Sequence, residues 1–248
     1  MAFRLVTSLR KRLADWRYPE GYRIAARGGA TWMLNHRHYV DRQMLFGGDY
    51  EAAQRQRLFT LAKDLGCRTF LDIGANFGLY SVHAALEGSF DAIHAFEPDP
   101  RNLACLRANM HLNGLLDGVI VHEIALSDRD GRISFAAGGD RFAGQSRVVP
   151  EKTFDSKEIE ARRLDSLSWP DHGFCMKIDV EGHEIPVLEG SRGLLERKPW
   201  VIQVECLEGK GESVGAFLTA LGGTHTGEIG DDHYFVRRGG SVAGSFHG

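Results

Sequence analysis

From Gly66 onward, short buried-strand patterns alternate with amphipathic helical patterns, and this alternation constrains the fold more than any other feature of the sequence. Strands joined by helices in this way form a parallel sheet covered on both faces, so we expect an α/β fold. In such sheets ligands bind beyond the carboxyl ends of the strands, where the strand order changes direction. The residues expected at that edge are Asp72–Gly78, Glu97, Ala125–Asp128 and Asp179–Glu184.

The same patterns place the individual elements. Predicted strands are Phe70–Ile73, Ala92–Phe96, Val119–Ile124, Phe174–Asp179, Trp200–Cys206 and His233–Arg237, with further extended segments at Gly131–Phe135 and Glu158–Arg163. Predicted helices are Ala52–Leu65, Leu79–Leu86, one that begins at Pro100, Glu184–Glu196 and Ser213–Leu221, and a hairpin is predicted over Tyr22–Leu34. We therefore predict an N-terminal helix and hairpin appendage over 1–50, a main domain over 51–240 and a flexible tail over 241–248.

Composition and charge are those of a soluble globular protein, which we expect in the cytoplasm. The 248 residues include 43% hydrophobic and 25% charged residues, and 30 Lys and Arg against 33 Asp and Glu give a net charge of −3. This near balance argues against nucleic acid as a partner, since neutralising phosphates requires a surplus of basic side chains. No apolar run approaches the roughly 18 residues that a membrane span needs. The dispersed cysteines show neither disulfide nor zinc-site spacing, so we expect reduced thiols in the core.

The beginning of the chain is basic. Residues 1–27 contain seven Lys and Arg against Asp15 and Glu20, an excess of five positive charges. Apolar side chains fall near one helical face opposite the basic ones, which is compatible with a membrane-surface or partner contact. A solvated helix packed on its own domain is the other interpretation. The apolar stretch is too short for a signal peptide.

The first predicted strand runs into the glycine-bearing turn Asp72-Ile73-Gly74-Ala75-Asn76-Phe77-Gly78. Glycines at a strand–helix junction allow a tight turn and close approach of a ligand to the main chain. The pattern departs from the dinucleotide fingerprint GxGxxG, because Asn76 holds the central position. A carboxylate at Asp72 repels a pyrophosphate but attracts the ammonium of an amino acid, directly or through water.

Glu97, at the end of the second predicted strand, lies nineteen residues beyond Gly78. An acid at this point accepts hydrogen bonds from both ribose hydroxyls and disfavours a 2′-phosphate. Acids at strand ends also cap the next helix, so neither Asp72 nor Glu97 is specific alone. One carboxylate for an amino group and another for a ribose diol together indicate S-adenosylmethionine as the cofactor.

Four segments in this order resemble the FkbM-type S-adenosylmethionine-dependent methyltransferases. They are Leu71–Gly78 with Tyr80 and Ser81, Phe96–Pro98, Ala125–Asp128 with Gly131, and Lys177–Glu184 with Val187, Leu188 and Gly190. The resemblance extends from about Tyr50 to Arg237, and Lys177–Glu184 is its most specific segment. It implies a class I methyltransferase fold, a Rossmann-like three-layer α/β sandwich with a seven-stranded, mostly parallel sheet and an antiparallel last strand. It also implies O-methylation of a small molecule or glycan, with S-adenosyl-L-methionine as donor and S-adenosyl-L-homocysteine as product.

The resemblance also implies site residues by position. Those implied to bind the cofactor are Asp72, Gly74, Ala75, Asn76, Gly78, Glu97, Pro98, Ala125, Leu126, Ser127 and Asp179. The turn from Asp72 to Gly78 would hold the methionine part and Glu97 the ribose. Ala125 and Leu126, with Ser127 or Asp128, would line the adenine pocket.

Methyl transfer to a hydroxyl requires an aligned acceptor, exclusion of water and removal of the hydroxyl proton. On an extended chain Asp179 and Glu181 lean to the same side, beside the expected sulfonium. We predict that Asp179 lines the active site, although an ion pair with Lys177 is the alternative role. His183 is a candidate general base or a histidine at the rim. Glu205 ends the fifth strand and is a candidate to bind the acceptor hydroxyl.

Two further features remain open. Asp179, Glu181 and Glu205 offer oxygen ligands suited to Mg²⁺, but nothing in their spacing demands a metal, and none is predicted. The glycine-rich polar loop Gly138–Arg147 falls between elements that border the site. It is a candidate lid whose two arginines suit an anionic or sugar-like acceptor, or else a solvated loop.

Other function classes compete with an O-methyltransferase. An NAD-dependent oxidoreductase is disfavoured by Asn76 and by the lack of a Tyr-x-x-x-Lys pair. A catalytically silent S-adenosylmethionine-binding module is disfavoured by the intact turn and the acidic cluster after the fourth strand. RNA methylation is weakened by the net negative charge and by the absence of an Asn/Asp-Pro-Pro-aromatic tetrapeptide.

Overall fold

The computed structural model describes residues 16–19, 21–136, 146–149, 156–206, 209 and 211–239. Its strands are β1 (Tyr22–Arg27), β2 (Ala30–Asn35), β3 (Thr69–Ile73), β4 (Ala92–Phe96), β5 (Ile120–His122), β6 (Ala125–Leu126), β7 (Gly131–Ala136), β8 (Arg147–Val148), β9 (Ser156–Arg162), β10 (Phe174–Ile178), β11 (Trp200–Glu205), β12 (Thr224–Ile229) and β13 (Asp232–Arg237). Its helices are α1 (Tyr39–Gly47), α2 (Ala52–Leu65), α3 (Leu79–Glu87), α4 (Pro100–Leu112), α5 (Glu184–Glu189), α6 (Arg192–Arg197) and α7 (Gly211–Ala220), and a 3₁₀ turn covers Leu164–Ser166.

A seven-stranded sheet forms the centre of the fold, in the order β12-β13-β11-β10-β3-β4-β5. The pairs from β11 to β5 are parallel, whereas β13 runs antiparallel to both β11 and β12. This is the predicted α/β sheet with an antiparallel last strand. The strand order reverses between β3 and β10, so the carboxyl ends of these strands flank the expected crevice.

Two cores cover the faces of this sheet. Successive strand residues point to opposite faces, so Phe70 packs with α2, α3 and α4 whereas Leu71 packs with α5, α6 and α7. Local signals set the helix ends: the Asp99 carboxylate accepts a hydrogen bond from the Arg101 amide at 2.9 Å, and Pro100 occupies the first turn of α4. The sheet is thus fixed between two helical layers.

The N-terminal hairpin is built into the first of these cores. Trp32 and Leu34 on β2 have no exposed surface and belong to the same apolar cluster as α2, α3 and α4. Met44 and Leu45 of α1 join them. The predicted appendage over 1–50 therefore packs as part of the main body from Tyr22 onward, and the predicted division of the chain into three parts stays a prediction.

Two asparagines of α4 bind the free edge of β2. The Asn113 side chain accepts from the Thr31 amide at 2.8 Å and donates to the Thr31 carbonyl at 2.7 Å. The Asn109 side chain accepts from the Met33 amide at 2.7 Å. Because these amides satisfy backbone groups that a neighbouring strand would otherwise pair with, they anchor the hairpin and protect its edge.

Several boundaries differ from the sequence expectation. The predicted helix Glu184–Glu196 is two helices, since the Gly190 carbonyl accepts from the Asp165 amide at 3.0 Å. The Asp165 carboxylate also accepts from the amides of Gly193 and Leu194, at 2.9 and 2.7 Å, and so begins α6. The predicted strand Val119–Ile124 is shorter, and Ala125–Leu126 joins a second sheet of order β6-β9-β7-β8.

Helix α1 and strands β6, β8 and β12 were not predicted. Apart from the differences above, the strands and helices predicted within the described residues are present to within a few residues. The four cysteines are free and buried, as predicted. Within the described ranges, no helix combines the length and apolar character needed to cross a bilayer. The basic segment before Trp16, most of the loop Gly138–Arg147 and the tail 241–248 lie outside the described residues.

A stacked histidine pair between β4 and β5 makes the stability sensitive to acid. His94 Nδ1 lies 2.9 Å from His122 Nε2. Burial and the neighbouring ring lower the pKa of His94 from 6.5 to about 4, and burial lowers the pKa of His122. Between about pH 6.5 and 4, these histidines are therefore protonated in the unfolded chain but neutral in the folded chain. The free energy of unfolding falls as the pH drops through this window.

We expect His94→Phe to lose stability less steeply than the wild type over that pH window. The measurement is the free energy of unfolding from urea titrations between pH 7 and 4.5. The exposed residue His111 provides the control, because His111→Phe should keep the wild-type slope. Parallel slopes for His94→Phe and the wild type would contradict this assignment.

Candidate active site

Two adjoining cavities lie at the carboxyl ends of β3, β4, β10 and β11. The smaller, of about 60 Å³, lies between the glycine turn and the ends of β4 and β10. The larger, of about 640 Å³, reaches outward to the N-terminal hairpin and α1. Four residues line both cavities, namely Asn76, Asn102, Asp179 and Glu181.

The residues predicted from the sequence divide between these cavities. Those that line the smaller cavity are Gly74, Asn76, Glu97, Pro98, Ala125, Leu126, Asp179 and His183. Those that line the larger cavity are Ala75, Asn76, Asp179 and Glu205. Asp72, Gly78 and Ser127 line neither cavity.

The glycine turn is shaped by left-handed backbone conformations. Gly74, Asn76 and Gly78 have φ values of +80°, +52° and +91°. A methyl group on Gly74 would overlap the carbonyl oxygen of Asp179, so β3 and the segment after β10 approach each other as closely as a glycine allows. The turn is thereby held against the end of β10, and Gly74 and Asn76 remain open to the smaller cavity.

Glu97 orders the turn from the neighbouring strand. Its Oε2 accepts from the Asn76 amide at 2.8 Å and its Oε1 from the Asp99 amide at 2.7 Å. The side chain is almost fully buried at the wall of the smaller cavity, and burial raises its pKa to about 7. The Asn102 side chain also hydrogen-bonds to this carboxylate. A carboxylate has about four lone-pair sites, so these three contacts leave acceptor capacity for a further donor such as a ribose hydroxyl.

Asp72 caps the helix that follows the turn. Its Oδ2 accepts from the Ser81 amide at 2.9 Å and from the Ser81 hydroxyl at 2.6 Å, within the first turn of α3. Among the residues that the structure describes, its buried Oδ1 has no hydrogen-bond partner. The structure therefore places Asp72 in the capping role, and direct contact with a ligand ammonium stays a prediction.

His183 faces the smaller cavity and not the larger one. Its Nε2 lies 2.9 Å from the Ser127 hydroxyl, which also donates to Asp128 at 3.0 Å. This contact joins the segment after β10 to the end of β6, whose Ala125 and Leu126 form an apolar wall. His183 therefore belongs to the wall of the smaller cavity, and its predicted catalytic role stays a prediction.

A buried ionic network lies where the two cavities meet. Lys177 Nζ donates to Asp179 Oδ2 at 2.7 Å, and Glu205 hydrogen-bonds to the same carboxylate. Burial disfavours the Asp179 carboxylate, but Lys177 and these hydrogen bonds hold its pKa below the usual range. The Asp179 charge and burial raise the pKa of Glu205 to about 9, so Glu205 is the protonated donor at neutral pH. Asp179 therefore forms the ion pair with Lys177 and lines both cavities, and its role in an active site stays a prediction.

The sequence placed Glu181 beside the expected sulfonium and offered it as a possible metal ligand, but not as a catalytic residue, and the structure gives it a more prominent place. It lines both cavities, and its backbone φ of +51° is unusual for a residue with a side chain. Burial and the charges of Asp179 and Glu184 raise the pKa of Glu181 to about 7. A carboxylate that titrates near neutrality between two cavities is suited to general base catalysis.

The outer wall of the larger cavity was not predicted. It comes largely from residues before the glycine turn, which are Tyr22, Asn35, Arg37, His38, Tyr39, Val40, Asp41, Tyr50 and Glu51. Glu51 hydrogen-bonds to Tyr50 and Tyr80, which ties this wall to α3. No sequence motif marks these residues, because they reach the cavity only when the hairpin packs against the main sheet and its helices. The wall combines aromatic rings with charges of both signs.

The carboxylates of the site do not form a compact metal centre. Among the residues that the structure describes, the group of three potential ligands within mutual reach of one ion is His225, Glu228 and His233, on the β12–β13 hairpin. Asp179, Glu181 and Glu205 form no such group there.

The strand order, the glycine turn and the acid at the end of β4 define a class I S-adenosylmethionine-dependent methyltransferase fold. Residues 72–237 match the family described as the Methyltransferase FkbM domain. The chain therefore belongs to the FkbM methyltransferase family, which confirms the resemblance in the sequence.

Individual relatives are more distant. Hexuronic acid methyltransferase AglP of Haloferax volcanii is 30% identical over 131 residues, 53% of this chain and 53% of that protein. 2-O-methyltransferase NoeI of Sinorhizobium fredii is 32% identical over 151 residues, 53% of this chain and 60% of that protein. The chain thus spans between half and three fifths of these relatives' length. The solved structure of precorrin-6y C5,15-methyltransferase from Geobacter metallireducens has 17% identity and a TM-score of 0.44, and covers 73% of this chain and 84% of that one.

Proposed function

We propose that this protein is an S-adenosylmethionine-dependent O-methyltransferase that acts on a hydroxyl of a small molecule or saccharide. The observation that carries the proposal is a pair of adjoining cavities, one lined by Glu97 and the glycine turn, the other large enough for an acceptor, with Glu181 in the wall of both. Membership of the FkbM family supports the reaction class.

The residues of the smaller cavity fit the methyl donor. The Glu97 carboxylate offers acceptors for a diol, and Ala125 and Leu126 offer apolar surface for a purine base. The donor supplies an electrophilic methyl group on a sulfonium centre. Asp179, whose negative charge is held by Lys177, lies at the boundary of the two cavities and is suited to balance a nearby positive charge.

We assign the general base to Glu181. Its carboxylate would take the proton of the acceptor hydroxyl, and the donor would supply its methyl group to the hydroxyl oxygen and leave as the neutral thioether. Asp179 and Glu205 are less suited to this step, because they hydrogen-bond to each other and Asp179 also pairs with Lys177. Glu205 instead offers a protonated carboxyl at the larger cavity and is placed to orient the acceptor.

A saccharide or comparable polar acceptor suits the larger cavity. Tyr39 and Tyr50 provide aromatic surface, and Glu51 and Arg37 provide hydrogen-bonding groups of opposite charge. The names of AglP and NoeI denote a hexuronic acid methyltransferase and a 2-O-methyltransferase, which supports a hydroxyl acceptor of this kind. Arg37 would pair with an acidic group on such an acceptor.

We expect Glu97→Ala to weaken S-adenosylhomocysteine binding by about 100-fold, since it removes both acceptors for the ribose hydroxyls and frees the Asn76 amide. Calorimetric titration of the purified chain with S-adenosylhomocysteine and, separately, with NAD measures this. The exposed Glu212→Ala variant should bind like the wild type. Binding of NAD alone would replace the proposal with a redox function, and binding of neither would indicate a silent module.

The same titrations should depend on pH. The ionised form of Glu97 binds the diol, and its pKa is about 7 in the free protein. The dissociation constant should therefore rise as the pH falls below about 7, with protons released on binding. Glu97→Gln should remove most of this pH dependence.

A further inference from the structure

A cluster of potential metal ligands lies on the hairpin formed by β12 and β13, outside the two cavities of the candidate active site. His225 and Glu228 come from β12 and His233 from β13, and one ligand atom of each lies within 4.8 Å of the other two. None of the three lines either cavity at the sheet edge. The proposed reaction therefore assigns them no role.

A β-bulge brings the three side chains to one face. Along a regular strand His225 and Glu228, three residues apart, would point to opposite faces. The register shifts between His225 and Gly227, so that His225 pairs with Phe235 while Gly227 pairs with Tyr234. This extra residue restores His225 to the face of Glu228, whose cross-strand partner is His233.

The distances suit one small divalent ion. His233 Nδ1 lies 3.6 Å from Glu228 Oε2, and the His225 and His233 ring centroids are 5.5 Å apart. A tetrahedral zinc ion with bonds of about 2.0–2.1 Å holds its ligands about 3.3–3.4 Å apart, so small side-chain rotations suffice. The Nε2 edge of His233 lies towards Gly211, which leaves Nδ1 as its ligand atom.

We propose that His225, Glu228 and His233 form a zinc-binding site with its fourth position open to water. Two imidazoles and one carboxylate suit borderline divalent transition metals such as Zn²⁺ better than Mg²⁺ or Ca²⁺, which prefer oxygen ligands alone. All three side chains are at least partly exposed, so the ion can enter without unfolding.

Zinc at this site would clamp the hairpin across its bulge. His233 follows Asp232, whose carboxylate accepts from Gln203 Nε2 at 2.8 Å in the sheet interior. The clamp would therefore stiffen the pairing of β12 with β13 next to a buried contact of β11. We infer a structural role, since the site is separate from the catalytic cavities.

The test is calorimetric titration of the untagged full chain with ZnCl₂, together with thermal unfolding at increasing ZnCl₂. We expect saturable binding of one Zn²⁺ per chain and a melting temperature that rises with zinc concentration. His225→Ala and His233→Ala should each weaken binding by about 100-fold, because each removes a direct ligand. The exposed His111→Ala variant should bind zinc like the wild type.

The melting temperature without zinc and the affinity for S-adenosylhomocysteine should be unchanged in both ligand variants, which separates loss of metal from loss of fold. This readout also keeps the zinc site independent of the proposed methyl transfer. Binding that is unsaturable, or that persists in His225→Ala and His233→Ala, would show adventitious zinc only and overturn the proposal.

Discussion

Glu181→Gln is expected to lower kcat by about 100-fold or more, the usual contribution of a general base. The amide keeps the size of the side chain but cannot accept the hydroxyl proton. Binding of S-adenosylhomocysteine should change little, since Glu97 and the glycine turn remain. The measurement is transfer of labelled methyl from saturating S-adenosylmethionine to an acceptor found by screening glycosides with and without a uronic acid.

The pH profile distinguishes a base from a side chain that only supports the fold. At saturating donor, wild-type kcat should fall as the pH drops below about 7, because protonated Glu181 cannot accept a proton. Glu181→Gln should lack this acid limb. Glu189→Gln changes an exposed carboxylate at the end of α5, which pairs with Arg192 of α6, and should keep wild-type rates. A kcat for Glu181→Gln close to that of the wild type would assign the proton transfer elsewhere.

Gly74→Ala is expected to cost about 3–5 kcal/mol of folding free energy, because two penalties combine. At a φ of +80° any side chain is strained, and the added methyl would overlap the Asp179 carbonyl. Gly88→Ala is the matched control: its φ is +70°, but nothing lies within 4 Å of the added methyl, so only the strain of about 1–2 kcal/mol applies.

Urea denaturation of the two variants separates these contributions. Gly74→Ala should also bind S-adenosylhomocysteine more weakly at temperatures where it is folded, since the clash displaces the turn from Asp179. Equal losses of stability in the two variants would show that the close approach at Gly74 is not required.

The sheet could be predicted from sequence because its strands are short apolar runs with clear ends. The ends at Ile73 and Phe96 were placed correctly, and they locate the turn and Glu97. Strand β12, with the sequence Thr-His-Thr-Gly-Glu-Ile, was not predicted. It lies at the edge of the sheet and carries a bulge, so its residues do not alternate between buried and exposed positions. The division between α5 and α6 also escaped, because Asp165 causes it from a distant part of the chain.

The positions of site residues at the end of a strand could be predicted from the sequence. The direction of a side chain in the turn after a strand could not, because the backbone conformation of the turn sets it. Asp179 and Glu181 were expected on an extended chain, but β10 ends at Ile178 and Glu181 adopts a left-handed conformation. Both residues still line the cavities, but the left-handed turn at Glu181, and not an extended chain, brings them there. His183 was expected as a general base or as a histidine at the rim, and the structure places it at the smaller cavity, where its Nε2 contacts the Ser127 hydroxyl.

The hairpin that Asn109 and Asn113 anchor lies outside the part of the chain that matches the family. The family match begins at residue 72, whereas the outer wall of the larger cavity is made mostly by residues 22–51. In the proposed function, the donor and acceptor sides of the site therefore come from different stretches of the chain, and the two asparagines join these stretches through backbone groups of β2. A hairpin with other side chains can keep these hydrogen bonds, so substitutions in the proposed acceptor wall do not by themselves remove its anchor.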